Sequence, residues 1–158
     1  MQKRIIILQF LICLAVAGFG QSVYDSSNRL IAKIDKSGRV YDHTNSYLGK
    51  FSGDNIYNWS NFFLGKIRED GHIFDRNNAF LGKIDNNGRV YDRNNSYLGK
   101  VDANGRVYNA YNNFLGSAKE IPTRYVAVFF FFYFFWPNKA HTSVFHKKER
   151  TIYIILTF

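Results

Sequence analysis

A short pattern of residues recurs at nearly constant spacing through the centre of the chain, and it constrains the fold more than any other feature. Each unit reads approximately V-Y-D-x-x-N-x-[YF]-L-G-K-I-D-x-x-G-R, and successive copies begin 17, 16, 17, 17 and 17 residues apart. Self-similarity at a fixed period predicts a repeat architecture, in which one small structural unit is stacked several times. The copies begin at Val23-Tyr24-Asp25, Val40-Tyr41-Asp42, Ile56-Tyr57-Asn58, Ile73-Phe74-Asp75, Val90-Tyr91-Asp92 and Val107-Tyr108-Asn109.

Two kinds of turn signal alternate within each unit. The first is Asp-x-x-Gly, at residues 35–38, 85–88 and 102–105, where Asp opens a type I turn and Gly takes the left-handed position after it. The second is a polar stretch such as Arg93-Asn94-Asn95, in which Asn tolerates left-handed geometry. The runs between the turns are short and rich in Val, Ile, Tyr, Phe and Leu, which is typical of strands. The units are therefore predicted to be antiparallel hairpins.

The turn at residues 85–88 also predicts which side chains share a face of the hairpin. Ile84 should lie opposite Val90 on a face that lines a core, and Lys83 should lie opposite Tyr91 on the other face. There the aromatic ring can lie along the lysine stem, so we expect this second face to be amphipathic. A small residue recurs two positions before the Ile, where it allows close approach of a backbone or ring. These residues are Gly49, Gly65, Gly82, Gly99 and Gly116, with Ala32 in the first unit.

Counting one strand on each side of a turn gives five hairpins, centred near residues 35–38, 53–55, 69–71, 85–88 and 102–105. Val23-Tyr24-Asp25 and Phe114-Leu115-Gly116 remain as single strands that together would make one more pair. One hairpin cannot bury its apolar face alone, and ring closure would remove the exposed strand edges. We therefore predict an all-β fold of tandem hairpin repeats, with five petals closed radially around a central axis.

In its repeated units the chain resembles a known family, the five-fold β-flower proteins, which are small exported bacterial proteins built from tandem units of this kind. The resemblance rests on the recurring Val-Tyr-Asp, Tyr/Phe-Leu-Gly-Lys-Ile and Asp-x-x-Gly-Arg segments and covers about Val23 to Ala118. It implies a radial arrangement of five hairpin petals, and it implies no active site, because no function is established for the family. The sequence departs from the pattern at Ala32, at the shortened turn of residues 52–55, and at Trp59.

The start of the chain indicates export. Two basic residues precede an apolar run and then small residues, so residues 1–20 are predicted to be a signal peptide, cleaved after Ala17 or Gly20. Cys13 lies within this segment, so the mature chain would have no cysteine, which favours a bacterial periplasm or cell surface. The predicted parts are the signal peptide at 1–20, the repeat domain at 21–120, a Phe-rich strand at 121–137 and a variable tail at 138–158.

The Phe-rich segment from Tyr125 to Trp136 is almost purely apolar and aromatic. It is short for a membrane-spanning helix, which needs roughly 20 residues. We expect a strand that is buried on both faces or inserted through the centre of the flower. The alternative is an interfacial anchor, in which this segment makes contact with a membrane.

Charge and motif content exclude several classes of function. The chain has a formal net charge of +9, but the repeats themselves keep 14 basic and 11 acidic residues, so we expect no nucleic-acid partner. His43, His72, His141 and His146 lack metal-ligand spacing, and each Asp-rich turn offers too few oxygens for a calcium site. Nucleophile and phosphate-loop motifs are also missing. We therefore predict no catalytic residues, no cofactor and no metal.

One aromatic cluster is the candidate binding site. Trp59, Phe62 and Phe63 stand beside Tyr57 in the least regular unit, where an aromatic platform could stack on sugar rings or peptide side chains. The competing interpretation is that Trp59 fills space left by the shorter preceding turn. The predicted function is an exported, non-enzymatic structural or binding module of the bacterial cell envelope. Its partner is unknown, with a glycan or another envelope protein as candidates; the alternatives are membrane association through the Phe-rich segment and a glycan-binding repeat protein.

Overall fold

The computed structural model describes residues 20–135, which form a ring of short strands followed by one helix. Of the predicted signal peptide only Gly20 is described, and the tail at residues 138–158 lies outside the described residues. The elements are β1 Gln21–Asp25, β2 Leu30–Ile34, β3 Arg39–Asp42, β4 Tyr47–Ser52, β5 Asn55–Asn58, β6 Phe63–Ile67, β7 His72–Asp75, β8 Phe80–Ile84, β9 Arg89–Asp92, β10 Tyr97–Val101, β11 Arg106–Asn109, β12 Phe114–Ala118 and the helix α1 Thr123–Phe131.

The twelve strands close into a barrel in which each strand pairs antiparallel with its neighbours in sequence. The ring is completed by β1 and β12, whose register places Val23 opposite Ala118. The five hairpins expected from the sequence are therefore joined by a sixth pair made from the two terminal strands. The prediction of an all-β fold closed radially is confirmed, and no strand edge of the ring is left open.

Side chains within the turns explain why the repeat keeps Asp and Asn at fixed positions. Asp85 opens its turn and accepts hydrogen bonds at Oδ1 from the backbone N–H groups of Asn87 and Arg89, both at 2.9 Å. In the other kind of turn, Asn95 has a φ of 63°, in the left-handed region that Asn tolerates better than most residues. Six Asn residues have this conformation at the same repeat position: Asn28, Asn45, Asn61, Asn78, Asn95 and Asn112.

The units are held to one another by a recurring backbone hydrogen bond. The amide N–H of Val101 donates to the carbonyl oxygen of Gly88 at 2.9 Å, which joins the turn of one hairpin to the strand of the next. The same bond links Phe51 to Gly38 at 2.8 Å. Each turn thus depends on its neighbour for a partner, as expected of units that are not stable alone.

The two faces of the wall have different chemistry. Ile84 pairs with Val90, and Lys83 pairs with Tyr91, which confirms the predicted register of this hairpin. Ile84 and Val90 are buried and belong to the core inside the barrel, whereas the alternate positions face outward. The inner wall is therefore aliphatic except for Phe51, and the outer wall carries lysine and aromatic side chains.

The Phe-rich segment is helical, and the prediction of a strand at residues 121–137 is wrong. The helix α1, Thr123–Phe131, buries Val126, Ala127, Val128, Phe129 and Phe130 in the same core as the inward-facing strand residues. A strand inside a closed barrel would find no free edge to pair with, and its backbone polar groups would stay unsatisfied in an apolar interior. A helix satisfies those groups within its own chain. Within residues 20–135, no helix has the length and apolar composition for a bilayer crossing.

The phenyl rings of the Phe-rich segment pack against the wall at its recurring glycines. A Cβ atom added at Gly82 would lie 3.0 Å from Cε1 of Phe132, and it would also collide with the carbonyl oxygen of Tyr91. The prediction that these glycines serve close approach is confirmed. The same contact joins Gly49 to Phe135, Gly65 to Phe134, Gly99 to Phe131 and Gly116 to Phe130.

Candidate binding surface on the outer wall

One arrangement of three side chains is repeated five times around the outer wall. A lysine, an aromatic residue and a second aromatic residue lie directly opposite one another on three successive strands, and we call this set a wall triad. The five triads are Lys33–Tyr41–Tyr47, Lys50–Tyr57–Phe63, Lys66–Phe74–Phe80, Lys83–Tyr91–Tyr97 and Lys100–Tyr108–Phe114. The sixth unit has Ser117 and Leu30 on either side of Tyr24, and therefore lacks both the lysine and the second ring.

The geometry within a triad is nearly constant. In four triads the lysine Nζ lies 5.3 to 5.5 Å from the centre of the first ring, within the range of a cation–π interaction. In the remaining triad, Lys33 Nζ donates a hydrogen bond to Oδ1 of Asn45 at 2.8 Å. The two rings of every triad have their centroids 5.6 to 5.9 Å apart and are tilted or edge-on. A triad thus presents an apolar ring surface beside an ammonium group.

Like charges lie opposite one another at two places on this wall. Arg39 lies directly opposite Lys50, and Arg89 lies directly opposite Lys100. Like charges at opposed positions of an antiparallel pair destabilise it by roughly 0.2 to 1 kcal/mol. The outward-facing strand positions carry no Asp or Glu in the described part of the chain. The wall therefore bears two like-charge pairs at some cost to stability.

The sequence-predicted site residues do not form one platform. Tyr57 lies on the outer wall, where its ring is 5.9 Å from that of Phe63, in the triad that begins with Lys50. The ring of Phe62 lies 5.6 Å from the guanidinium of Arg76, in the neighbouring turn. The structure thus places Tyr57 with Phe63 and Phe62 with Arg76, and it shows neither in ring contact with Trp59.

Trp59 lies at the tip of the turn between β5 and β6 and is 69 % exposed. The shortened turn at residues 52–55 connects β4 to β5 at the other end of the barrel. The interpretation of Trp59 as filler for that turn is therefore wrong, because its side chain packs into no such space. It remains available to solvent at the same end as Phe62, which is 51 % exposed.

Phe63 was predicted to lie beside Tyr57, and the structure confirms this contact. Sequence reasoning missed Lys50, which lies opposite Tyr57 on the other side and completes the surface. The signal was present, because the register predicted for Lys83 and Tyr91 applies to every unit. The contact with the third strand depends on a bulge at Leu98, where the pairing shifts between Tyr97 and Gly99, and such a shift is not visible in the sequence.

The opposite end of the barrel has a cleft of about 600 Å³ between the Asp-x-x-Gly turns and the start of α1. Arg68, Asp85, Asp102 and Arg124 are among its lining residues, so its charge is mixed. The carboxylate of Asp102 accepts the backbone N–H groups of Asn104 and Arg106 at 2.9 Å, as Asp85 does in its own turn. These carboxylates act as turn residues. Within residues 20–135, no three His, Cys, Asp or Glu side chains form a group that could hold a metal ion.

Comparison with known proteins supports the architecture. The model of one family, described as 5-fold beta-flower protein, matches residues 20–134, which include all twelve strands and the helix. No curated protein and no solved structure matches the chain.

Proposed function

The chain belongs to the 5-fold beta-flower family, and on this premise we propose that it is an exported, non-enzymatic binding module of the bacterial cell envelope that holds a glycan chain. The observation that carries the proposal is the fivefold repetition of the wall triad on one continuous surface. Equivalent sites at regular intervals suit a ligand that is itself a repeat, because weak contacts then add through avidity.

The chemistry of the triad supports a sugar as the ligand. Aromatic rings offer an apolar surface for the C–H face of a sugar ring, and the second rings of two triads, Tyr47 and Tyr97, are 37 % and 39 % exposed. The neighbouring lysine supplies donors for sugar hydroxyl or acid groups. The basic and apolar start of the chain, residues 1–20, supports export to the envelope, where such polymers occur.

Membrane anchoring through Tyr125–Trp136 is the less favoured alternative. The side chains of residues 126–130 and of Phe135 are buried against the inner wall. An anchor made from them would have to leave the barrel and would expose the aliphatic core it now covers.

A glycan array with matched variants tests the proposal. Tyr91→Ala removes the first ring of a complete triad, and Tyr24→Ala removes the same repeat position from the unit that lacks a triad. We expect Tyr91→Ala to weaken binding of the best glycan roughly fivefold, in line with about 1 kcal/mol for a ring contact, and Tyr24→Ala to change it little.

Three outcomes of the glycan array decide whether the outer wall binds glycans. The expected difference between Tyr91→Ala and Tyr24→Ala would support it. An array on which the protein binds no glycan would overturn the proposal. A loss of binding in Trp59→Ala, with none in Tyr91→Ala, would place the contact at the turns and would also contradict it.

A further inference from the structure

We infer that the ligand of the outer wall is an acidic polysaccharide, which runs around the barrel and pairs one acid group with each wall triad. This inference rests on the proposed function and names the class of glycan. It is carried by three features of the described residues: the sign of the charge on the wall, the absence of ion pairs between the wall cations and carboxylates, and the spacing of the triads.

The outer wall carries cations at almost every unit, and its outward-facing strand positions carry no Asp or Glu in the described residues. Eight cationic side chains project from outward-facing strand positions: Lys33, Arg39, Lys50, Lys66, Lys83, Arg89, Lys100 and Arg106. The acidic residues of the repeats lie in the turns at the two ends, where several are held by backbone hydrogen bonds. A neutral glycan would leave this concentration of charge without a counterpart.

None of these eight cations forms an ion pair with a carboxylate of residues 20–135, although the charge of Arg39 is near enough to Asp35 to help lower the pKa of that carboxyl. Within residues 20–135, the close pairs of basic and acidic side chains are Arg29 with Asp25, His72 with Asp70 and Arg124 with Asp54, and none of them includes a wall cation. Arg39, Arg89 and Arg106 are exposed. An anionic ligand would relieve the repulsion between opposed pairs such as Arg39 and Lys50.

The spacing of the triads fits a polymer with one acid group in every second sugar. Neighbouring strands lie about 4.8 Å apart, and each unit spans two strands, so equivalent lysines recur roughly every 9 to 10 Å around the wall. This interval is close to the length of a disaccharide. A nucleic-acid duplex has a much denser charge, about one per 1.7 Å, and is too stiff to follow the curve of so small a barrel.

The test measures binding of a defined probe to the full chain and to two matched double variants. The probe is a hyaluronan oligosaccharide of five disaccharides, which carries one carboxylate per disaccharide, and its control is the same oligosaccharide with the carboxyl groups reduced to alcohols. Lys50→Gln with Lys83→Gln removes two triad cations. Lys36→Gln with Lys119→Gln removes two exposed cations from the end of the barrel and leaves the triads intact. Thermal unfolding of both variants verifies that they are folded.

We expect the acidic probe to bind and the reduced probe to bind at least tenfold more weakly. The Lys50/Lys83 variant should lose roughly twofold to thirtyfold in affinity, as expected for two surface ion pairs, while the Lys36/Lys119 variant should change less than twofold. Affinity for the acidic probe should also fall as salt is raised, because exposed charges are screened. Longer oligosaccharides should gain little, since the wall has five triads.

The failures of this inference and of the proposed function are distinguishable. Equal binding of the acidic and reduced probes, or equal losses in the two double variants, would overturn the acidic ligand and leave a glycan-binding wall. Absence of binding to both probes and to every glycan on the array would overturn both. Tight binding of a single-stranded oligothymidylate, weakened by the same lysine substitutions and exceeding that of hyaluronan, would overturn the polysaccharide in favour of nucleic acid.

Discussion

The wall and the helix α1 are built on opposite principles, although they share one core. The wall uses one short unit six times, and the twelve strands differ little in length or register. The helix has no repeat, yet it must contact units that lie at different positions around the ring. Consecutive phenylalanines make these contacts: Phe130, Phe131 and Phe132 each pack against the glycine of a different unit.

This difference explains the unusual composition of the C-terminal segment. Equivalent glycines of the wall form equivalent gaps, and equivalent gaps accept the same side chain. Phe134 and Phe135 continue the series to Gly65 and Gly49, while Tyr133, between Phe132 and Phe134, is not among the nearest neighbours of any of these glycines. The low complexity of the segment therefore follows from the symmetry of the wall, although Phe and Val are weak helix formers and the helix depends on burial.

The variant with the largest expected effect on stability places a charge in the buried face of the helix. Ala127 is 0 % exposed, so Ala127→Asp would bury a carboxylate without a partner. We expect a loss of about 4 kcal/mol or more, enough to remove most of the stability of a domain of this size. Circular dichroism should show no cooperative thermal transition, or a strongly lowered one.

The matched control is Thr123→Asp in the same helix. Thr123 is exposed at the first turn, where a negative charge interacts favourably with the helix dipole, so we expect a change of about 0.5 kcal/mol or less. If Ala127→Asp unfolded at the temperature of the parent chain, the helix would not belong to the core and the wall would be stable alone.

The contrast also accounts for which parts of the fold could be predicted from the sequence. The hairpins were predictable because turn chemistry and strand composition agree in six copies, so that the pairing of Ile84 with Val90 followed from one turn. The helix was not, because a run of apolar residues has no periodicity to separate a helix from a buried strand. Ring closure through β1 and β12 leaves an inserted strand no edge to pair with, so the predicted strand was inconsistent with the closure that the repeats themselves predicted.

A smaller effect is expected where a single ring meets the wall. In Gly82→Ala the new Cβ would press against Phe132 and the carbonyl oxygen of Tyr91, so we expect a loss of about 2 kcal/mol in urea unfolding. Gly53→Ala is the control, because its Cβ would meet no atom within 4 Å and only the φ of 59° opposes it. We expect this variant to lose about 1 kcal/mol.

A double-mutant cycle sharpens this result. Phe132→Leu removes the part of the ring that lies nearest to Gly82, so the combination with Gly82→Ala should cost about 0.5 to 1 kcal/mol less than the sum of the single losses. Part of the penalty remains, since the carbonyl oxygen of Tyr91 does not move. Strictly additive losses in the free energy of unfolding would show that the ring of Phe132 does not pack against Gly82. They would contradict the fit between helix and wall described above.

The candidate surface was only partly predictable, for a related reason. The sequence predicts Tyr57 as a site residue, but it places Trp59, a turn residue, in the same site. The triads are instead made by residues on three different strands. Single-residue departures from a repeat are easy to see in a sequence. When the functional residues occupy the regular positions of the repeat, as Lys50 does, no departure from the repeat marks them in the sequence.

The smallest predicted effect concerns the turns, where the repeat itself varies between Asp and Asn. Burial raises the pKa of Asp42, but hydrogen bonds from the hydroxyl of Thr44 and the backbone N–H groups of Ser46 and Thr44 outweigh it, and the net pKa is lowered. Asn58 occupies the same position in another unit and accepts the equivalent backbone bonds without a charge. Asp42→Asn should therefore keep the geometry of the turn and lose the stabilisation that comes from the charge.

The pH dependence distinguishes these two contributions. Because the pKa of Asp42 is lower in the folded chain, the carboxylate stabilises the fold above its unfolded pKa of about 3.9, and this stabilisation is lost as the pH falls through the folded pKa. At pH 7 we expect Asp42→Asn to be less stable than the parent chain by about 0.5 kcal/mol, since the turn is exposed to solvent. Urea unfolding should show this difference shrinking between about pH 5 and pH 2. A difference that stayed constant with pH would mean that the turn depends on side-chain geometry alone, and that its Asp and Asn versions are not interchangeable parts of the wall.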